Sequence, residues 1–218
     1  KTKEMTEINL LEKIDWDFAT ATTNTTTNTI HPYPAKFIPQ IPHHFIQQLS
    51  DEGDTVYEPF LGSGTTAVEA NILGRNAIGN DVNELAVLIS KVKTTPISNK
   101  KLLSLDGLLE RIYNRIDLLH SGKKNGIVKP DIVNLDLWFV DFVINEIVII
   151  KEEIDKLTDK DLKDFCLVAL SGILINVSRQ DSDTRYVRVP KTINHFDTYN
   201  KFSNQLNKLR KIMSASSK

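Results

Sequence analysis

Residues 57–66 read Tyr57-Glu58-Pro59-Phe60-Leu61-Gly62-Ser63-Gly64-Thr65-Thr66, and this segment is the most informative part of the chain. It follows a predicted strand at residues 55–57 and opens a predicted helix at residues 65–73. Gly62 and Gly64 let the backbone turn tightly and approach a ligand closely, because neither residue carries a Cβ. The helix that follows directs its free N–H groups and positive dipole end at the same place.

Two acidic residues flank this turn. Glu58 stands just before it, and Asp81 follows the next predicted strand, residues 76–79. The alternation of strand, loop, helix and strand predicts an α/β fold with a doubly wound, mostly parallel, Rossmann-like sheet. The pattern therefore indicates a nucleoside-sized pocket at the sheet edge, with a carboxylate placed for ribose hydroxyls.

Two other nucleotide folds use glycine-rich loops, and the sequence disfavours both. A P-loop requires Gly-Lys-Ser/Thr, whereas Thr65 follows Gly64 and the next lysine is Lys91. A dinucleotide fingerprint requires a third glycine, which residues near Val68 do not supply. A bare Gly-x-Gly is also typical of an ordinary strand-to-helix turn, so the specificity lies in the longer string.

That longer string resembles the S-adenosylmethionine loop of DNA methyltransferases that modify an amino group, N4 of cytosine or N6 of adenine. The family usually has Asp-Pro-Phe-x-Gly-x-Gly-Thr-Thr, and Glu58 keeps the carboxylate of the first position. Residues 31–39, His-Pro-Tyr-Pro-Ala-Lys-Phe-Ile-Pro, resemble the motif that packs on the methionine end of the cofactor. Residues 74–83 resemble the second strand with its ribose-binding acid, so the motif order is X then I.

The resemblance implies which residues hold S-adenosyl-L-methionine. Glu58 would fix the loop, Asp81 would accept hydrogen bonds from both ribose hydroxyls, and Val82 would pack on the adenine. The complete set implied for cofactor binding is Ala35, Lys36, Phe37, Glu58, Phe60, Gly62, Ser63, Gly64, Thr65, Thr66, Asp81 and Val82.

The chain departs from the family in lacking the catalytic motif. That motif is Asp/Ser/Asn-Pro-Pro followed by an aromatic residue, which holds the target amine and stacks on the flipped base. All eight prolines here are isolated. We therefore expect no catalytic residue in this chain, which would be either one subunit of a split enzyme or a fragment. A second polypeptide or chain segment would carry the motif.

Charge bears on the DNA partner that the resemblance implies. The net charge of −1 argues against a generic polyanion binder, so DNA contact needs local basic surfaces. Residues 178–191 are polar and basic with one interleaved tyrosine, which suits a DNA backbone and an unstacked base. Arg179, Arg185 and Arg188 are the candidate DNA-binding residues, with contact to a protein partner as the alternative.

The remaining sequence suggests three regions. Residues 1–30 form an arm with a Thr/Asn-rich linker, residues 31–98 the cofactor-binding α/β region, and residues 99–218 a helical extension with a basic C-terminal segment. Helices are predicted at residues 102–120, 136–157 and 160–177. For the basic residues 201–218, a contact with DNA and a solvated, partly disordered tail are equally compatible with the sequence. No apolar run is long enough to cross a membrane, and no His/Cys/carboxylate cluster has metal-ligand spacing.

The single cysteine, Cys166, fits a reducing cytoplasm. The leading hypothesis is the cofactor-binding part of a DNA methyltransferase in a restriction-modification or defence system. The alternative is a non-catalytic module that binds the cofactor or a partner and regulates assembly. A third hypothesis is a methyltransferase acting on RNA or protein.

Overall fold

The computed structural model describes residues 11–19, 26–34, 36–122 and 126–216. The chain forms two compact units, residues 1–95 and residues 96–218. The predicted Ala35 of the cofactor site lies outside the described residues, as do residues 1–10 of the predicted N-terminal arm and residues 20–25 of its linker. The division into three regions stays a prediction.

The first unit contains a short parallel sheet with helices before, between and after its strands. A 3-10 helix at Thr26–Thr29 is followed by α1 (Gln40–Leu49), β1 (Thr55–Glu58), α2 (Thr65–Ile72), β2 (Asn76–Gly79) and α3 (Glu84–Thr94). The two strands pair in parallel, with Thr55 opposite Asn76 and Glu58 opposite Gly79. This arrangement is an α/β unit compatible with a methyltransferase-like fold, and the doubly wound sheet stays a prediction.

Local chemistry sets the helix starts around the sheet. The Asn83 side chain accepts a hydrogen bond of 3.0 Å from the backbone N–H of Leu85, which caps α3. Helix α2 begins after Gly64, which adopts a left-handed conformation with φ of 82°. Small buried residues such as Ala67 and Ala70 let this helix pack closely on its neighbours.

The two-stranded sheet is unusually open. Tyr57 and Ile78 lie opposite each other in the register and are 61% and 59% exposed. The β2 residues Asn76 and Ala77 are exposed as well. Parallel sheets are normally covered on both faces, so this pair of strands has the exposure of an incomplete sheet.

The second unit is helical within the described residues. It comprises α4 (Asn99–Leu103), α5 (Asp106–His120), α6 (Leu135–Trp138), α7 (Asp141–Asp155), α8 (Lys160–Ser171), a 3-10 helix (Ile175–Val177) and α9 (Asp197–Ser216). The predicted helix at 102–120 is interrupted at Ser104 and Leu105, and that at 136–157 at Phe139 and Val140. The third predicted helix ends early, at Ser171.

The C-terminal segment is a helix, so a solvated tail is the wrong interpretation for residues 201–216. Phe202, Leu206, Leu209 and Met213 are all buried. Their spacing of three or four residues places them on one face of α9, which packs on α7 and α8. Within the part of the chain that the structure describes, no helix is long and apolar enough to cross a membrane.

Candidate cofactor site

The loop between β1 and α2 is built around two glycines in left-handed conformations. Gly62 has φ of 51° and Gly64 has φ of 82°. A Cβ added to Gly64 would lie 2.2 Å from the Ser90 Oγ and 2.9 Å from the Ser90 Cα. Helix α3 therefore lies directly against the loop, at a distance that only glycine permits.

Asp81 holds this loop from the end of β2. Its Oδ2 accepts a hydrogen bond of 2.8 Å from the Gly62 backbone N–H, and its Oδ1 accepts one of 2.9 Å from the Asn83 N–H. These backbone donors, from Asn83 and then Gly62, hold the pKa of Asp81 below its usual value, which keeps the carboxylate charged. Each carboxylate oxygen has a second lone pair with which to accept a ligand hydroxyl.

Glu58 closes the loop from the other strand. Its Oε1 accepts a hydrogen bond of 3.1 Å from the Phe60 N–H, and its Oε2 accepts one of 3.1 Å from the Thr66 hydroxyl. Glu58 thus joins the start of the loop to the first turn of α2. The two carboxylates that flank the loop in sequence both fix its shape.

A cavity of about 300 Å³ opens beside the loop. Eight of the twelve residues proposed from the sequence line it together, and they combine aromatic walls with hydroxyl and charged groups. The lining residues are Tyr33, Lys36, Phe37, Glu58, Phe60, Leu61, Gly62, Ser63, Thr65 and Thr66. The structure therefore brings Tyr33, Lys36 and Phe37 together with the loop that follows β1 in one pocket, although the sequence separates them.

Three proposed residues lie elsewhere. Gly64 is buried at the start of α2, and Asp81 reaches the loop only through the Gly62 N–H. Val82 is fully exposed, at 102% of its reference area, and does not line the cavity. The proposed packing of Val82 on adenine stays a prediction.

Lys36 is held at the cavity by backbone carbonyls. Its ammonium donates to the carbonyl oxygens of His31 and Asn28, at 3.0 Å and 3.3 Å. Burial lowers the pKa of Lys36. Burial also lowers the pKa of the neighbouring His31, whose ring contacts the Pro32 carbonyl oxygen, so His31 is a neutral structural group at physiological pH.

Sequence reasoning missed Lys93. This residue of α3 is 4% exposed, and its Nζ donates to the Ser63 Oγ at 3.2 Å. Burial lowers the pKa of Lys93 to about 7, with a further contribution from the positive charge of Lys36. The sequence did indicate a buried position for Lys93, because this residue follows Ala86, Ile89 and Ser90 at helical spacing, and all of them lie on the buried face of α3.

The basic segment of the second unit forms a hairpin-like loop. The Asp181 N–H donates to the Val187 carbonyl oxygen and the Val189 N–H to the Arg179 carbonyl oxygen, at 2.9 Å and 2.8 Å. The Arg179 guanidinium donates to the Asp136 carbonyl oxygen at 3.2 Å, so it secures the base of the loop. Arg179 therefore differs in its contacts from the other two arginines proposed for DNA binding, Arg185 and Arg188.

Two of those arginines stand at the surface. Arg185 lies 3.4 Å from the Asp181 carboxylate in an exposed ion pair, and Arg188 is exposed. Tyr186, between them, is 80% exposed. No group of three or more metal-ligating side chains occurs among the described residues.

Comparison with known proteins relates part of the chain, including the residues that line the cavity, to DNA methylases. Residues 2–92 match the profile of the DNA methylase family whose members modify N6 or N4 amino groups. The Type II methyltransferase M.MvaI of Kocuria varians is 37% identical over 165 residues, which are 74% of this chain and 36% of that protein. The similarity to this DNA methylase family thus lies in residues 2–92.

Other relatives match shorter parts of the chain. The Type II methyltransferase M.MjaII of Methanocaldococcus jannaschii is 39% identical over 95 residues, 41% of this chain and 18% of that protein. M.BglI of Bacillus subtilis is 41% identical over 71 residues, 32% of this chain and 20% of that protein. The chain thus spans about a third or less of these relatives' lengths. No solved structure matches it significantly.

Proposed function

We propose that this chain is the S-adenosylmethionine-binding part of a DNA methyltransferase that methylates N4 of cytosine or N6 of adenine. The observation that carries the proposal is that Lys36, Phe37 and the loop from Glu58 to Thr66 line one and the same cavity. The Type II methyltransferases among its relatives support a place in a restriction-modification system.

The residues present fit the cofactor. Phe37 and Phe60 offer apolar surface, and the glycine-rich loop offers close backbone approach. Lys36 and the start of α2 provide positive potential for a carboxylate, and Asp81 keeps acceptor capacity for hydroxyls. When bound, the sulfonium of the cofactor supplies an activated methyl group for the acceptor amine. The chain contributes positioning and partial exclusion of water.

The acceptor half of the reaction belongs to another segment. This sequence contains no Pro-Pro-aromatic motif to hold the target amine, and its open sheet supports the addition of further strands. That segment is either a second polypeptide or another part of the same protein. For DNA contact we propose Arg185 and Arg188 with Tyr186 between them, and Arg179 as the residue that secures their loop.

Calorimetry with S-adenosylmethionine tests the proposal directly. The wild-type chain should bind the cofactor, and Asp81→Ala should weaken binding by about tenfold or more, because it removes a polar partner of the ribose and a brace of the loop. Glu84→Gln, an exposed acid three residues later, is the matched control and should bind normally. Absence of cofactor binding by the wild-type chain and by its complexes would refute the proposal.

The alternative, a non-catalytic regulatory module, makes a different prediction. It would bind the cofactor or a partner, yet no combination of the chain with a segment carrying the motif would methylate DNA. Transfer of label from S-adenosylmethionine to DNA by such a combination therefore separates the two functions. Transfer to RNA or protein instead would support the third hypothesis.

A further inference from the structure

Where α5 packs on α7, two carboxylates are buried and are neutralised differently. Glu153 is 1% exposed and pairs with Arg111 and Arg115 at 3.1 Å and 3.0 Å. Glu146, two turns earlier on α7, is 0% exposed and pairs with His120 at 2.7 Å. Among the described residues, the ion pairs of Glu146 involve His120 alone. Arginine keeps its charge at physiological pH, whereas histidine changes charge between about pH 5 and 8, so the Glu146 pair is the one sensitive to pH.

The Glu146 carboxylate joins three parts of the helical unit. Its Oε1 accepts hydrogen bonds from the His120 Nε2 of α5 at 2.7 Å and from the Phe196 backbone N–H at 2.9 Å. Its Oε2 is buried and has no hydrogen-bond partner among the described residues. A buried carboxylate with an unpaired oxygen is costly unless a positive charge lies beside it. The arrangement is therefore most stable when the His120 ring is protonated on both nitrogens.

This contact holds Phe196 in an unfavourable backbone conformation. The φ of Phe196 is 68°, in the left-handed region that bulky residues seldom adopt and that persists only where the surroundings impose it. Phe196 directly precedes α9, which begins at Asp197. Its ring packs against the rings of His120 and Tyr113, with centroids 5.1 Å and 5.6 Å away. Loss of the hydrogen bond to Glu146 should therefore free the junction between the basic segment and α9.

A second histidine lies against the first. The ring of His195, an exposed residue, stacks on that of His120, with centroids 3.9 Å apart and an angle of 13° between the planes. The ring of Phe142 meets that of His195 edge-on at 4.7 Å. Two positive charges at this distance repel each other, so the stack is favourable only while at most one ring is charged. Protonation of His195 should therefore oppose the charge that Glu146 requires on His120.

The other titratable groups beside these rings cannot supply that charge. Burial raises the pKa of Tyr199, so its hydroxyl stays neutral at physiological pH, and Tyr113 packs its ring against Tyr199 at 5.4 Å. Asp197 of α9 accepts the backbone N–H three residues earlier at 2.7 Å, and Asp117, one turn before His120 on α5, is exposed. Among the described residues in contact with the cluster, only the two histidines can carry a positive charge.

We propose that His120 and Glu146 form a proton-dependent latch that fixes the end of the basic segment, residues 178–191, to the helical unit. The latch is closed when His120 is charged and His195 is neutral. At higher pH His120 loses its proton to solvent and leaves a buried carboxylate without a countercharge. At lower pH His195 gains a proton from solvent, and two cations face each other. Either change releases Phe196.

The latch and Arg179 hold opposite ends of the basic segment. The Arg179 guanidinium donates to the Asp136 carbonyl oxygen at 3.2 Å and secures the start of the segment. Glu146, through Phe196, secures the chain that follows it. His120 and Glu146 are thus positioning residues for Arg185 and its neighbours, and this consequence rests on the proposed function, because it assumes that these residues contact DNA.

The latch predicts a bell-shaped pH profile for the protection of the Phe196 amide against hydrogen exchange. Protection factors are measured by NMR between about pH 5 and pH 9 and are corrected for the intrinsic exchange rate, so they report local opening. Wild-type protection should be highest near neutral pH and lower by about tenfold or more at both ends of this range.

Substitutions should remove the two sides of this profile separately. His195→Phe keeps an aromatic ring in the stack without a charge, so the fall at low pH should disappear alone. His120→Gln keeps a hydrogen-bond donor for Glu146 that cannot be charged, so protection should be low throughout and without a fall at high pH. Arg111→Gln, at the pair with Glu153, is the matched control and should lower overall stability without changing the shape of the profile.

Binding of duplex DNA tests what the latch positions. Arg185 and Arg188 stay charged throughout this pH range, so a change in DNA affinity would not come from their titration. Fluorescence anisotropy with a mixed-sequence duplex should show a wild-type affinity that is lower at about pH 9 than at about pH 7, by about fivefold or more. His120→Gln should bind DNA weakly and equally at both pH values.

The outcomes separate the latch from the proposed function. A flat protection profile in the wild type, or the same bell-shaped profile in folded His120→Gln, overturns the latch. If His120→Gln does not fold, His195→Phe decides, because His195 is exposed; an unchanged fall at low pH in that variant overturns the proposal. A bell-shaped profile with pH-independent DNA affinity overturns the positioning role. Absence of DNA binding at either pH refutes the proposed DNA contact, and the protection profile alone then decides the latch.

Discussion

At the scale of single residues, position 64 imposes two separate requirements, and only glycine meets both. Its φ of 82° is unfavourable for other residues, and an added Cβ would overlap Ser90. Gly64→Ala should therefore lower the free energy of unfolding by about 2–5 kcal/mol, the sum of backbone strain and overpacking. Urea unfolding measures this loss, and cofactor titration should show that binding is lost.

Gly53→Ala is the matched control for this substitution. Gly53 has a similar φ of 90°, but nothing lies within 4 Å of a Cβ added there. It should show the backbone strain without the overlap, and cofactor binding should survive. Equal stability of the two variants would mean that α3 moves aside and that its contact with the loop is unimportant.

Lys93 makes the stability of the chain depend on pH. Its pKa is about 7 in the folded chain, against an ordinary 10.5. Between these values the unfolded chain binds a proton that the folded chain does not, so stability rises with pH, by at most about 1.4 kcal/mol per pH unit. Below pH 7 both states are protonated and the full penalty is present.

Comparison with Lys93→Met isolates this dependence. Thermal or urea unfolding between pH 7 and pH 10 should give a flatter stability profile for the variant, which should also be the more stable protein at pH 7. Parallel profiles for the two proteins would show that Lys93 titrates alike in both states.

At the scale of elements, α9 is a core helix of the second unit. Leu206 is fully buried, so Leu206→Ala should lower the free energy of unfolding by about 2–5 kcal/mol through lost burial and a residual cavity. Lys208→Ala, on the exposed face of the same helix, should change it little. Equal effects of the two substitutions, measured by urea unfolding, would place α9 outside the core.

The same helix shows where sequence reasoning failed. Lysines and arginines in residues 201–218 favoured a DNA contact or a solvated tail, whereas the apolar period of Phe202, Leu206, Leu209 and Met213 determined the structure. Lys93 was not considered at all, although it is 4% exposed on the buried face of α3. In both helices, the spacing of the apolar residues decides which side chains are buried, whatever the number of charged residues in the segment.

Elements near the glycine-rich loop were predicted closely, because local chemistry defines them. Strand β2 has the predicted bounds, and α2 ends one residue earlier than expected. The breaks after α4 and α6 could not be predicted, since the apolar period continues through Leu105 and Phe139. The resemblance had already assigned Lys36 and Phe37 to the same site as the loop, but their common cavity is visible only in the folded chain.

At the scale of the whole molecule, the open sheet is the feature that leads us to expect further strands. The paired residues Tyr57 and Ile78 expose more than half of their surfaces, next to the loop that forms the cofactor cavity. A parallel sheet of two strands has unpaired edges and uncovered faces, both of which favour association. We therefore expect β1 or β2 to be joined by strands from the segment that carries the Pro-Pro-aromatic motif.

Methyl transfer from labelled S-adenosylmethionine to DNA tests this expectation. The chain alone should transfer nothing, and addition of a polypeptide with the motif should restore transfer. Ile78→Lys should block the restoration while leaving cofactor affinity intact, because it places a charge on the face that the new strands must cover. Leu103→Lys, an exposed position in the second unit, is the control. Transfer by the chain alone, or full activity of Ile78→Lys in the reconstituted pair, would show that this sheet needs no further strands.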